Sequence, residues 1–169
     1  IVGVRAFNTL DRMSVIQPRL MEYVKGGGTA IVQYNTSMRN QPEIGPYPFQ
    51  ISRDRVTVEG ADIRILAPDH PVINGPNKIT DKDFEGWVQE RGLYFPNKWD
   101  AHYTPILSSN DPGETPKDGG LLVTEYGEGF FMYTGYSWFR ELPAGVPGAF
   151  RIFTNMISVG KEKPKKTRL

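Results

Sequence analysis

The residues best placed to do chemistry lie near the C-terminal end. Gly127-Glu128-Gly129 forms a glycine-flanked turn that launches the apolar run Phe130-Phe131-Met132-Tyr133. That run ends in Thr134-Gly135-Tyr136. Ser137-Trp138-Phe139-Arg140-Glu141 follows, before the Pro/Gly-punctuated stretch Leu142 to Phe150. Binding loops of α/β domains gather just past such a strand, at the carboxyl edge of the sheet. This loop offers Thr134, Tyr136, Ser137, Arg140 and Glu141, and neither Cys nor His. Arg140 is the side chain there that can clamp a carboxylate, a phosphate or a pair of sugar hydroxyls. The competing reading makes Arg140 and Glu141 a local structural pair that fixes the path into the last helix.

Nucleophilic catalysis lacks its parts. The absence of cysteine excludes disulfides, thiolate zinc sites and a cysteine nucleophile. Ser37 and Ser137 each follow a strand-like run. Neither Tyr34-Asn35-Thr36-Ser37-Met38 nor Gly135-Tyr136-Ser137-Trp138-Phe139 fits the Gly-x-Ser-x-Gly elbow. A zinc site takes about three or four ligands, so it would need both histidines, His70 and His102, plus Asp69 or Asp100. Asp69-His70-Pro71 reads instead as a turn, and His102, among Trp99, Tyr103 and Tyr94, as a packing histidine. No metal site is expected. Asp81, Asp83, Glu85 and Glu90 surround Trp87. Carboxylates beside an aromatic suit a glycosidase, but carboxylates at a helix start suit capping and a solvated face, the reading favoured here. Trp87, Trp99, Tyr94, Tyr103, Tyr133, Tyr136 and Trp138 lie at or near loops, where rings stack on sugars, anchor interfaces or fill a core.

These candidates need elements to hold them. Ile1 to Val4 reads as a buried strand of parallel type, followed by a loop over Ala6 to Thr9. Ile16, Leu20 and Val24 recur at i, i+4 and i+8 and predict a helix ending near Lys25. Pro18 is expected in its first turn, with Ser14 or Gln17 as the cap. Gly26-Gly27-Gly28 then supplies a left-handed C-cap and a tight turn. It closes a helix instead of opening one, which argues against a phosphate loop. Thr29 to Tyr34 is a second buried strand, and strand–helix–strand makes a right-handed parallel crossover. Residues 50–53 and 55–58 read as a hairpin, Ala61 to Leu66 as a strand and Asp69 to Pro76 as a turn. Thr80 caps a short helix. Leu93 to Phe95, Tyr103 to Ser108, Leu121 to Glu125 and Phe130 to Tyr133 are further strands, and Asn110 to Gly120 is an exposed hairpin connection. Phe150, Phe153 and Ile157 mark a last helix over Val146 to Val159.

Composition bounds the rest. The chain's 169 residues suffice for one domain with a sizeable core. Its 18 Gly and 14 Pro imply many turns. The net charge of +1 hides an asymmetry: Lys161 to Leu169 carries five basic residues and one acidic, leaving 15 basic and 18 acidic residues in the body. The body has no basic footprint for nucleic acid, no stretch approaches membrane-spanning length, and residues 161–169 are expected as a solvated basic tail. Because Ile1 starts inside a strand-like run, the chain is expected to be a piece of a longer protein.

The helix ending Tyr23-Val24-Lys25-Gly26-Gly27-Gly28 and the strand Ala30 to Tyr34, together with Tyr126 to Thr134, resemble the class I glutamine-amidotransferase-like fold and the related ThuA-like proteins. A wider resemblance spans Ile1 to Gly160. His70-Pro71-Val72-Ile73-Asn74-Gly75-Pro76, Asp83-Phe84, Gly86-Trp87, Asn110 to Glu114 and above all Leu142-Pro143-Ala144-Gly145-Val146-Pro147-Gly148-Ala149 look like the C-terminal region of large bacterial LmbE/PIG-L-type deacetylases. In that family a separate N-terminal domain holds zinc and removes acetyl groups from N-acetyl sugars. Its clustered His and Asp motif is not in this chain, so no catalytic residue is carried over. Tyr34-Asn35-Thr36 stands where an amidotransferase has its Cys, and Gly135-Tyr136-Ser137 where it has its His. Glutamine hydrolysis by that pair is excluded.

The resemblance implies a flavodoxin-like, class I amidotransferase-like three-layer sandwich over residues 1–160, with a mostly parallel sheet and an antiparallel excursion in the second half. It implies a non-catalytic accessory domain of a zinc-dependent hydrolase acting on carbohydrate. Such a domain would dock on the N-terminal catalytic domain of the same polypeptide, self-associate or bind a glycan, with zinc only in the missing domain. The alternative is a ThuA-like carbohydrate-active enzyme. The expected ligand-binding residues are Tyr34, Asn35, His70, His102, Tyr136, Arg140 and Glu141. A periplasmic or secreted location is favoured over a cytoplasmic one, and neither nucleic acid nor membrane insertion is expected.

Overall fold

The computed structural model describes residues 1–37 and 41–160. The basic segment 161–169, expected as a tail, lies outside them. A five-stranded sheet organises the chain. Its strands are β1 (Thr29–Gln33), β3 (Ile63–Ile65), β5 (Thr104–Ser109), β6 (Lys117–Tyr126) and β7 (Gly129–Thr134), in the order β1-β7-β6-β5-β3. A separate ribbon pairs β2 (Phe49–Val56) with β4 (Gly92–Trp99), antiparallel.

The sheet is not mostly parallel, which corrects the flavodoxin-like expectation. Among the described residues only β1 and β7 pair in parallel, joined by a single parallel bridge from Val2 to Val32. The pairs β3–β5, β5–β6 and β6–β7 are all antiparallel. The reason is connection length. Gly127 and Glu128 alone separate β6 from β7, and a parallel partner needs a crossover of a dozen residues or so. Gly127, at φ +61, supplies the positive φ that the first position of a type II′ hairpin turn requires.

Helices cover both faces. On one, α1 (Ala6–Thr9) and α2 (Met13–Lys25) lie over β1 and β7, where Met21 and Val24 join a cluster with Ala30, Val32, Leu122, Phe131 and Tyr133. On the other, α3 (Pro71–Asn74), α4 (Trp138–Glu141) and α5 (Pro147–Ser158) lie over Ile31, Leu121, Val123 and Met132. Val2 lies beside β1 as expected, but Ile1 is 73% exposed, so the first segment is an edge and not a buried strand.

Other local expectations also change: the loop expected over Ala6 to Thr9 is the short helix α1. Pro18 sits inside α2, whose N-cap is Arg12 and not Ser14 or Gln17. Proline there removes a bond to the carbonyl of Ser14, which is exposed, so water can serve it. Residues 50–53 and 55–56 lie in one strand, β2, whose register shifts against β4, while Thr57 and Val58 lie beyond it. Asp69 to Pro76 contains one helical turn, α3, with the His70 side chain as its N-cap.

Candidate ligand-binding site at the carboxyl edge of the sheet

Because β1 and β7 run in parallel, their carboxyl ends open on the same edge, where Tyr34 follows β1 and residues 135–140 follow β7. Strand β4 crosses that edge. The Leu93 amide donates to Gly135 O at 3.0 Å, and the Ser137 amide donates to Arg91 O at 3.0 Å. The crossing depends on missing side chains: a Cβ on Gly92 would lie 2.4 Å from Gly135 O, and one on Gly135 would lie 2.4 Å from the Phe95 ring. This close passage delivers Tyr94 to Tyr34.

The result is a half-buried aromatic platform. Tyr34 stacks on Tyr94 with centroids 6.0 Å apart and planes at 11°, and meets Phe139 at 5.3 Å. Arg140 places its guanidinium carbon 5.0 Å from the Phe139 centroid. Its Nε donates to Glu90 Oε1 at 3.1 Å and its Nη1 to Gln89 Oε1, and Nη2 has no bond among the described residues. Arg140 therefore pairs with Glu90 and Gln89, not with its neighbour Glu141.

Strain gathers at the same edge. Among the described residues, three non-glycine residues have positive φ: Arg5 at 57°, Gln89 at 67° and Tyr94 at 53°. Arg5 donates its amide to Tyr34 O at 2.7 Å, Tyr94 stacks on Tyr34, and the Gln89 side chain holds Arg140. Each left-handed residue costs on the order of 1–2 kcal/mol. Such strain persists where surrounding structure enforces it and clusters at functional sites.

The other expected site residues divide into two groups. Asn35 is fully buried and structural: its Oδ1 accepts from Phe7 N at 2.9 Å, and its Nδ2 donates to Gln33 O at 3.1 Å. Tyr136 is fully buried, with its hydroxyl 3.1 Å from Ser109 Oγ, and burial pushes the phenol well above its ordinary range. His70 and His102 come together, but in a cleft of about 340 Å³ at the opposite, amino-terminal edge, with Thr104, Thr124 and Glu125. There His70 Nδ1 accepts from Val72 N at 3.1 Å. His102 lies 2.5 Å from Asp100 Oδ1 through Nδ1 and stacks on Tyr47 at 4.0 Å. Five residues of strand, about 17 Å at 3.3 Å each, separate that cleft from Tyr34, so the histidines and the platform cannot act on one ligand atom. Among the described residues no three His, Asp or Glu side chains form a metal-binding group, and no helix is long and apolar enough to cross a membrane.

Glu141 lies behind the platform, fully buried. Its Oε2 accepts from Val88 N at 3.0 Å, while its Oε1 and the Ser137 Oγ have no partner among the described residues. Burial raises the Glu141 carboxyl pKa, against the opposing Val88 bond and the charges of Arg91 and Arg140. A carboxyl raised in the folded state supports folding fully below its unfolded pKa. It loses that support as pH rises through the folded value. Glu141→Gln keeps an acceptor for Val88 and removes the charge. It is expected to stabilise the fold at neutral pH, with the gain fading as pH falls below the ordinary carboxylate range. Thermal melts across that range check this, and a gain that grows toward low pH would contradict it.

Comparison with protein families and with curated proteins finds no match. Among solved structures, the cytoplasmic protein STM3548 of Salmonella typhimurium is similar, with a TM-score of 0.56 and 17% identity over 93% of this chain and 68% of that one. At that identity the likeness bears on the fold alone.

Proposed function

We propose that this chain is a non-catalytic carbohydrate-binding domain, working as an accessory to a deacetylase of the LmbE/PIG-L type. The observation that carries this reading is the convergence of all three strained non-glycine residues on one half-exposed platform of Tyr34, Tyr94, Phe139 and Arg140. Aromatic faces suit the apolar C–H face of a sugar ring. The free Nη2 of Arg140 suits a hydroxyl or an acetamido carbonyl. The platform has no imidazole or thiol, and Glu90 already holds Arg140, so the set binds and does not cleave. The N-acetyl character of the sugar follows from the family resemblance.

The test is calorimetric titration with a trimer of N-acetylglucosamine. Tyr34→Ala and Arg140→Ala are each expected to weaken binding about tenfold, as a ring contact of about 1 kcal/mol or a lost charged donor implies. Tyr23→Ala, an exposed ring at the amino-terminal end of β1, is expected to leave binding unchanged. If Arg140→Ala lowers the melting temperature and leaves affinity intact, its role is structural and the platform reading fails.

A further inference from the structure

A wide cleft lies away from the platform, at the outer edge of the sheet. It encloses about 950 Å³ between β3 and the segment 81–87, and Ile63, Arg64 and Ile65 all line it. Consecutive strand residues point to opposite faces, so a cleft that touches all three lies along the edge of the strand and not on one face. That edge is open: β3 pairs with β5 on one side and ends the sheet on the other. Its outward amide and carbonyl groups are a template for another strand.

The walls define what that strand carries. Phe84, Trp87, Ile63 and Ile65 supply apolar surface. Glu59, Asp62, Asp81 and Glu85 stand exposed around the rim. Asp62, Asp81 and Glu85 form no ion pair with any described cation. The two arginines offset only part of the rim, since four carboxylates line the cleft with two guanidiniums and Arg91 feels Asp62 and Glu59. Arg64 is bonded to Ser108 Oγ and Asn110 Oδ1 at 2.9 and 2.7 Å. Arg91 is only 4% exposed; its Nε donates to Ala61 O and its Nη1 to Phe84 O, at 2.8 and 2.6 Å. Its Nη2 makes no hydrogen bond among the described residues and reaches solvent where the side chain lines the cleft, a donor open to a peptide carbonyl.

We infer that this cleft receives an extended basic peptide, which adds a strand to β3, gives a carbonyl to Arg91 and sets lysine or arginine side chains against the acidic rim. Main-chain pairing supplies affinity, and the rim supplies the sign of charge. The inference stands independently of the carbohydrate reading, since it uses none of the platform residues.

The test is an amide chemical-shift titration with the acetylated, amidated pentapeptide Lys-Val-Lys-Val-Lys. Two controls accompany it: the same peptide N-methylated at alternate residues, and its glutamate counterpart. The basic peptide is expected to shift the amides of residues 63–65 and the Trp87 indole. N-methylation, which removes the pairing donors, is expected to weaken binding at least tenfold, and the acidic peptide not to bind. The double variant Asp62→Asn, Glu85→Gln is expected to weaken binding about fivefold and flatten its salt dependence. Equal binding of the N-methylated or acidic peptide would overturn the inference. So would shifts confined to other residues, or a dimer of the chain that buries β3 and excludes the peptide.

Discussion

Asp83→Ala is expected to lower stability by about 2 kcal/mol, or a melting temperature drop of about 4–8 °C for a domain of this size. Asp83 is 7% exposed and its carboxylate serves two residues. Its Oδ2 accepts from Thr80 N at 2.8 Å, completing a capping box on the 3-10 turn Asp81–Phe84. Its Oδ1 meets Arg151 Nε of α5 at 2.6 Å. Removing the carboxylate costs a cap of about 1 kcal/mol and takes the ion pair from a half-exposed guanidinium that keeps its bonds to Lys78 O and Asn77 Oδ1. Asp83→Asn, which keeps the cap and loses the ion pair, is expected to fall about midway. Chemical denaturation of both variants checks the order, and an Asp83→Ala protein as stable as the parent would show that the contact contributes nothing net.

Gly148→Ala is expected to be at least as damaging, about 3 kcal/mol or more, although helix propensity alone predicts a gain of about 1 kcal/mol. A Cβ at this second residue of α5 would lie 1.9 Å from Asp83 O and 2.4 Å from its carbonyl carbon. Both are backbone atoms of a turn that also accepts the Trp87 indole N–H at 3.1 Å, so nothing there yields cheaply. A rise in melting temperature would mean that α5 and the turn can separate at little cost.

These two positions explain the most distinctive sequence run in the chain. Gly145 follows α4 at φ +77, where a side chain is disfavoured. Pro147 begins α5, where its missing amide hydrogen is not needed. Gly148 lets α5 close on the 3-10 turn. The residues of this run that carry the family resemblance are thus explained by packing, without a ligand.

What could be read from the sequence was local. The last helix, the strand Thr29 to Tyr34, the Thr80 cap and the turn at Gly127 follow from residue types within a few positions of each other. The direction of the sheet did not, because one early crossover suggested a parallel sheet while the pairing of the later strands is decided by short hairpin connections. Leu121 to Glu125 and Phe130 to Tyr133 were recognisable as strands, and the two-residue link between them already required an antiparallel pair. In the site, Tyr34 and Arg140 were recognisable as candidates, but Phe139, Gln89 and the role of Tyr94 were not. Those depend on β4 crossing the end of β7 and on backbone angles at Gln89 and Tyr94 that no residue type announces. The pairing of His70 with His102 in one cleft is equally nonlocal: β5 begins where α3 is held against the sheet.

The most direct measurement of the central claim is an amide chemical-shift map of the intact chain during titration with the N-acetylglucosamine trimer. The account predicts saturable shifts at Tyr34, Gln89, Glu90, Tyr94, Phe139 and Arg140, and none around His70 and His102. Shifts at the histidine cleft instead of the platform, or none at saturating sugar, would contradict it.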